Sequence, residues 1–368
     1  MTSPASSIDS EPWPTELTPG LLSRIRDARA RGVAWLRERV ADDGRPEGAG
    51  IANSWWRVPW ALYVGGAPDA AAAVIGWAER EALTSEGDFR QGPYDVPRGG
   101  SPVYHLSPLA IAAWLLARYD TAAAINRTLG RFQNPETGGA YDRRDFARDR
   151  LEDNLKTAQL GISALVTGQR GMADGVRRWL EVSYAQQPDL PRRLFTSRRG
   201  GTLLIDFPDA EAFLRVVDFR APRQAYFHPG IAAAFLAGYA QQSGDASALA
   251  LGREYLALTA GGTQEQYDDL ASMQICKFGW GAAAMLAADP DGGHLPWTVL
   301  MGGWFVRRQR PDGAWAPSSF MTPEPGLLDL YWKTAEHVME LSYVEQALTT
   351  YAARRPKAVQ SADDRSRL

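Results

Sequence analysis

The sequence predicts an all-α fold, an (α/α)6 toroid of six helical hairpins, and three observations carry that prediction. Apolar residues recur at helical spacing along most of the chain, with Gly, Pro, Asp and Asn between the segments. β-Branched runs of the kind strands need are scarce. The helical segments alternate in character at a loose period of about fifty residues, one amphipathic and charged, the next apolar on nearly every face. An outer and an inner layer of stacked hairpins require that alternation.

In chain order, segments 17–40, 68–83, 119–132, 171–187, 246–259 and 295–309 carry Arg and Glu on one face and suit the outer layer. Segments 54–66, 104–117, 153–168, 227–240, 268–288 and 331–348 begin with polar or aromatic residues, turn small and aliphatic, and suit the inner layer. One domain is expected over 16–353, between polar segments at 1–15 and 354–368 that are expected to fray. Residues 192–219, RRLFTSRRGGTLLIDFPDAEAFLRVVDF, depart from the pattern. Their short apolar runs and Gly-Gly turn predict a small β-hairpin over one mouth of the ring.

Composition narrows the function. With 45% apolar residues, 23% charged and a net charge of −3, the chain has little long-range field to attract nucleic acid or anionic lipid. A small-molecule partner is expected, with no nucleic acid and no membrane span, since no run of about 18 apolar residues occurs. The single cysteine, Cys276, excludes an internal disulfide and any multi-cysteine zinc site. It fits a reducing compartment, and MTSPASSIDSEPWP lacks the basic and apolar regions of a secretory signal, so a cytoplasmic location is expected.

The stretch WFVRRQRPDGAW places Trp304, Phe305, Gln309, Gly313 and Trp315 at the spacing of a clasp. Gln309 can bind free carbonyls at a helix end, Gly313 can take a left-handed turn, and Trp315 can stack on the amide. Partial copies follow other outer segments: Trp35, Leu36 and Gly44; Trp77, Gly87 and Phe89; Phe132, Gln133, Gly139 and Tyr141. The pattern resembles the QW repeat of the terpenoid cyclase and protein prenyltransferase toroids. That resemblance implies cyclisation, isomerisation or dehydration by acid–base chemistry on a hydrophobic, terpenoid- or polyketide-like metabolite in an aromatic lumen.

Aromatic and charged residues at the heads of the inner segments are the site candidates. Trp55, Trp56, Trp60, Tyr104, Tyr226, Phe227, Trp280, Tyr331 and Trp332 are expected to line the substrate cavity, though core filling accounts for many such rings. Arg57, His105, Lys156, His228, Lys277, Lys333, Glu336 and His337 lie on otherwise apolar helices, where a charge must pair, face a cavity or shift its pKa. QYDD at 266–269 resembles the DxDD motif of class II cyclases, with Asp268 at the acid's position, Asp269 last and Gln266 replacing the first aspartate. Capping of an inner helix by Asp268 and Asp269 explains the same residues. Lys277 would lie two turns beyond Asp269 on one stripe, with Glu336 as its partner or as a proton donor. His228 and His337 are candidate bases, His337 being about 100° round the helix from Glu336. Asp269 and Cys276 are too far apart along a helix to share zinc, so neither metal nor cofactor is expected.

Arg57-x-x-Trp60, GGAY at 138–141, His228 and WKTAEH ending at His337 are also similar, in kind and order, to N-acylglucosamine 2-epimerase-type barrels. That likeness implies two histidines exchanging a proton at a sugar C2. Ile231 stands where that family has a glutamate, and Lys156 where it has a histidine. DDLASM at 268–273 could mimic the lumenal aspartate of unsaturated glucuronyl hydrolases, and a non-catalytic binding toroid is a third class. An apolar tunnel would favour the terpenoid reading, and a polar bowl ringed by histidines the sugar reading.

Overall fold

Helix α1 (Pro19–Arg37) starts where Thr18 accepts a 3.1 Å hydrogen bond from the Leu21 amide, with proline in its first turn. It opens an alternation of outer and inner helices in a computed structural model that describes residues 12–96, 99–145 and 151–354. Inner α2 (Val58–Val64) and outer α3 (Pro68–Trp77), extended by a π-turn over Ala78–Ala82, complete the first pairings. Inner α4 (Val103–Leu115) pairs with outer α5 (Tyr119–Arg131), and a short strand β1 (Leu151–Asp153) leads into inner α6 (Asn154–Val166) and outer α7 (Arg170–Ala185). Strands β2 (Arg193–Phe195), β3 (Ser197–Arg199) and β4 (Thr202–Leu203), helix α8 (Ala212–Arg215) and strand β5 (Val216–Asp218) form an insertion. The ring resumes with inner α9 (Phe227–Ser243), outer α10 (Ala246–Ala260) and the short α11 (Glu265–Asp268). Inner α12 (Cys276–Ala288), outer α13 (Leu295–Arg308) and inner α14 (Leu327–Arg354) complete it.

Inner helices touch their neighbours all the way round: α2 on α4, α4 on α6, α6 on α9, α9 on α12, α12 on α14, and α14 on α2. The architecture is the expected (α/α)6 toroid. In α9 nearly every position from His228 to Ala240 is buried, which is what its all-round apolar sequence demands. Gly230 lets α9 and α12 meet backbone to backbone, since a Cβ there would come within 2.2 Å of the Lys277 carbonyl oxygen. None of the described helices is long and apolar enough to cross a membrane.

The insertion contains the expected hairpin, β3 paired with β4 around Gly200 and Gly201, and β3 also pairs antiparallel with β1. A second antiparallel pair joins β2 to β5. Residues 1–11 and 355–368, expected to fray, lie outside the described residues. Residues 12–15, placed in the same terminal segment by the sequence, instead pack on α13: the Trp13 indole donates to Asp268 at 2.6 Å, and Pro14 lies against Gly303.

The two glutamine-bearing clasps form, and each joins successive outer helices. Gln309 donates to the carbonyls of Ala28 (2.7 Å) and Gly313 (2.9 Å), tying α13 to α1, while the Trp315 indole donates to the Phe305 carbonyl at 2.9 Å. Gln133 does the same between α5 and α7 through Gly138 and Met172, both at 2.9 Å. Gly138 has φ +84°, and a Cβ there would stand 2.1 Å from the Gly175 oxygen. Gly138→Ala combines left-handed strain with a backbone clash, so it is expected to cost about 2–4 kcal/mol, read as a lowered denaturant midpoint. A change below about 0.5 kcal/mol would show that the turn relaxes freely.

The fifth inner segment corrects one expectation. Residues 268–288 are not a single helix: α12 begins only at Cys276. Asp269 accepts from the Ala271 amide at 2.8 Å and turns the chain, and Ser318 Oγ accepts from the Met273 amide at 2.8 Å and holds the turn. Asp269 therefore does not share a helical stripe with Lys277.

Candidate active site

All six inner helices present polar residues at the N-terminal end of the lumen. Arg57 immediately precedes α2, where Pro59 in the first turn fixes the helix start. Tyr104 and His105 open α4, Leu155 and Lys156 open α6, and Phe227 and His228 open α9. Pro229 in the first turn of α9 forfeits no helical hydrogen bond. Cys276 and Lys277 start α12, and α14 adds Trp332, Lys333, Glu336 and Glu340. Between them is a cavity of about 260 Å³, lined by Tyr104, Phe227, Lys277, Trp332, Lys333 and Glu336 among others. At ~30 Å³ per water that is space for about nine waters, enough for one sugar ring. Phe213 of the insertion and residues Pro317, Ser318, Met321 and Thr322 roof it, with Phe213 and Phe320 in edge contact at 6.3 Å.

Glu336 is the hub. Its Oε1 accepts from Arg57 Nη1 at 2.6 Å, from Lys277 Nζ and from the Tyr104 hydroxyl at 3.4 Å, and its Oε2 accepts from Lys333 Nζ at 2.6 Å. Burial pushes the carboxyl's pKa up, but Lys277, Lys333 and Arg57 outweigh that and hold it well below the usual carboxylate range. Glu336 is thus held as an anion by its three cations, the opposite of the protonated form that the donor role considered for it would need. The same pairing overcomes burial and raises Lys277 and Lys333, so both stay charged.

Glu340, one turn further along α14, was not singled out from the sequence, although its i, i+4 spacing from Glu336 puts both on one face. It is fully buried, with neither carboxylate oxygen hydrogen-bonded among the described residues and Lys277 Nζ at 3.7 Å. Burial, then the charge on Glu336, push it up to about 7. A carboxyl raised on folding adds stability in its protonated form, and that stability is present below the ordinary carboxylate pKa and lost as pH rises through about 7. Wild type is therefore expected to lose denaturant resistance over that window relative to Glu340→Gln. Parallel midpoint-versus-pH curves for the two proteins would contradict the assignment.

A second polar group lies at the head of α6, whose Leu155 lines the cavity. Lys156 Nζ bridges Asp142 at 2.5 Å and Asp153 at 2.7 Å, and Asp153 also caps α6 by accepting from the Lys156 amide. His105 packs on Trp56 at 4.7 Å between ring centroids, and His228 on Phe227 at 4.7 Å. Burial, with Arg57 and Lys156 near His105 and Lys156 and Lys277 near His228, pushes each imidazole down to about 3. Both are neutral at physiological pH, and each buries an Nδ1 with no partner among the described residues.

Other expected site residues lie elsewhere. Asp268 is exposed and accepts from Trp13, so the acid of the DxDD resemblance has no place in the lumen. His337 does not line the cavity and packs in a box of Trp304, Phe305 and Trp315, at centroid distances of 5.9, 5.2 and 5.7 Å. Burial first, and then Lys333, keep it neutral. Tyr331 packs on Trp35 and donates to the Arg39 carbonyl, Tyr226 donates to the Ala221 carbonyl, and Trp55 packs edge-on against Trp77 at 5.0 Å. These rings fill the space between layers. Trp60 and Trp280 meet Tyr343 at 6.1 and 5.9 Å as an aromatic layer, and Trp280 and Tyr343 also line an apolar pocket at the C-terminal ends of the inner helices. Tyr104, Phe227 and Trp332 line the cavity, and Trp56 packs behind Tyr104 at 5.1 Å.

Cys276, His337 and Glu340 offer ligand atoms within 4.8 Å of one another. Lys277 and Lys333, 3.7 Å from Glu340 and from Cys276 Sγ, oppose a divalent cation there, and burial pushes the thiol up to about 12. The donor set does not suit a metal.

The cavity lining combines aromatic and aliphatic side chains with the cations Lys277 and Lys333 and the carboxylate of Glu336, while His105, His228, Arg57 and Lys156 lie at the same helix ends behind that lining. The clasp is a joint between outer helices, and any ring of hairpins can use it. No protein-family model and no curated protein matches the chain. Solved structures do: D-mannose isomerase at 10% identity and TM-score 0.63, over 95% of this chain and 100% of that one. A GH76 α-mannanase from Bacteroides thetaiotaomicron matches at 12% identity and TM-score 0.57, over 88% and 96%. A possible member of the GH105 family from Salmonella enterica serovar Paratyphi A matches at 12% and 0.54, over 95% and 100%. The chain shares with them the (α/α)6 fold.

Proposed function

We propose that the protein is a sugar isomerase or 2-epimerase that moves a proton at the carbon next to a sugar carbonyl. The observation that carries this reading is that two neutral imidazoles, His105 and His228, stand at the heads of α4 and α9 beside Tyr104 and Phe227, which line a cavity the size of one sugar ring. In this reading one imidazole removes the C2 proton of an open-chain aldose, leaving an enediolate. The first imidazolium returns its proton to C1 to give the ketose. To give the epimer, a proton that the second imidazole takes from solvent is delivered to the other face of C2, the first imidazolium releasing its own proton to solvent. Lys277 and Arg57 supply fixed positive charge for the enediolate oxygen, and need no reorganisation because Glu336 already holds them. Hydrolysis is less well served. Glu336 is clamped as an anion and Glu340 is wholly buried, whereas a glycosidase needs an accessible carboxyl pair. The fold shared with D-mannose isomerase supports the same reading.

The test is proton exchange in D2O. The purified chain is incubated with a panel of aldohexoses, their 2-acylamino derivatives, 2-ketohexoses and the corresponding sugar acids, and C2 is followed by NMR. Deuterium is expected to enter C2 of at least one sugar. No exchange and no change in any of them would overturn the proposal.

A further inference from the structure

We infer that the sugar this site accepts carries an anionic group, which seats between Lys277 and Lys333. The inference rests on the sugar reading above and deepens it. It starts from an imbalance of charge around the cavity. Arg57, Lys277 and Lys333 all converge on the one carboxylate of Glu336. The only other carboxyl in the described cluster, Glu340, is fully buried below it and lies 3.7 Å from Lys277. Asp142 and Asp153 form a separate group on Lys156, and among the described residues no ion pair joins either of them to Arg57, Lys277 or Lys333. Three cations thus pair directly with one fully ionised partner in a site shielded from water.

Hydrogen bonds show the same surplus. Arg57 is 1% exposed and leaves Nε and Nη2 without a partner among the described residues. Lys277 and Lys333 line the cavity wall, and among the described residues each has one carboxylate, Glu336, within 3 Å. A lysine ammonium has three donors, so both retain capacity for a ligand's oxygens. Buried ion clusters are weak stabilisers compared with apolar packing of equal volume. A polar cluster aimed into a cavity is better explained by what enters the cavity.

The placement has a consequence for the base. Lys277 is one of the charges that hold His228 low. An anion beside Lys277 cancels part of that effect, so the imidazole becomes a stronger base when such a substrate is bound. A neutral sugar would not do this.

Binding separates the inference from the reading beneath it. The full-length chain is titrated at low salt with hexuronates, hexose 6-phosphates and neutral hexoses of matching configuration, using isothermal calorimetry. One anionic series is expected to bind at least about tenfold tighter than its neutral counterpart. The preference should shrink about tenfold or more in Lys333→Gln. The wild-type comparison stands even if that variant folds poorly. If the uronates carry the preference, the anion is a carboxylate, and if the 6-phosphates carry it, the anion is a phosphate. Neutral hexoses that bind as tightly as both anionic series overturn the inference and leave the sugar reading intact. Failure of all three series to bind overturns both.

Discussion

Replacing Glu336 with glutamine is expected to destabilise the fold by about 3–5 kcal/mol, the range for removing one partner from a buried ion pair and stranding the other. Here three cations would be stranded, Arg57 at 2.6 Å, Lys333 at 2.6 Å and Lys277. None can move its charge to solvent without breaking the inner layer, since all three are 5% exposed or less. The effect has a pH signature of defined sign. The Glu336 carboxyl lies well below its ordinary value in the fold, so its stabilisation is present above the ordinary carboxylate pKa and lost as pH falls below it. Wild type and Glu336→Gln should therefore differ most near neutral pH and converge in acid. Chemical denaturation at a series of pH values measures this, and a gap below about 1 kcal/mol at neutral pH would show that the cations find other partners.

The ring was legible in the sequence because its signal is repeated. Each outer helix is amphipathic, each inner helix is apolar all round, and the two characters alternate often enough for individual ambiguities to cancel. The clasps were legible for a related reason: Gln133 and Gln309 bind turn carbonyls within a few residues as well as a neighbouring helix. The site was read less well because it depends on rotation about each helix axis and on helix starts set at long range. Glu336 and His337 are adjacent in sequence but about 100° apart round the helix, one in the cation cluster and one in the Trp304, Phe305 and Trp315 box. The indole completing that box belongs to a clasp, and nothing near residue 337 announces it. Asp268 and Asp269 looked like the head of an inner helix. The turn that displaces them is fixed by Ser318, 45 residues from Met273. Tyr331 and Trp55 look like cavity rings in a one-dimensional pattern, but aromatic burial is the same whether the ring meets the lumen or the outer layer.

Substituting His228 with glutamine is expected to lower the exchange rate at C2 by about 10²–10⁴-fold, the usual contribution of a positioned general base. The loss should fall on kcat more than on KM, because the binding charges of Lys277 and Lys333 are untouched. Stability should change little, since the Nδ1 of His228 makes no hydrogen bond among the described residues. His337 provides the contrast. Its ring is neutral and surrounded by three aromatic side chains, and both of its nitrogens lack partners among the described residues. Phenylalanine is similar in volume and removes two unsatisfied polar atoms, so His337→Phe is expected to retain both exchange and fold. The pair of variants therefore decides which histidines do the chemistry. If His337→Phe abolishes exchange while His228→Gln preserves it, the base lies on α14 and the cavity has been assigned to the wrong side of that helix. Should His228→Gln and His105→Gln each abolish exchange with binding intact, the two imidazoles act on opposite faces of one sugar, as a proton moved from one side of C2 to the other requires.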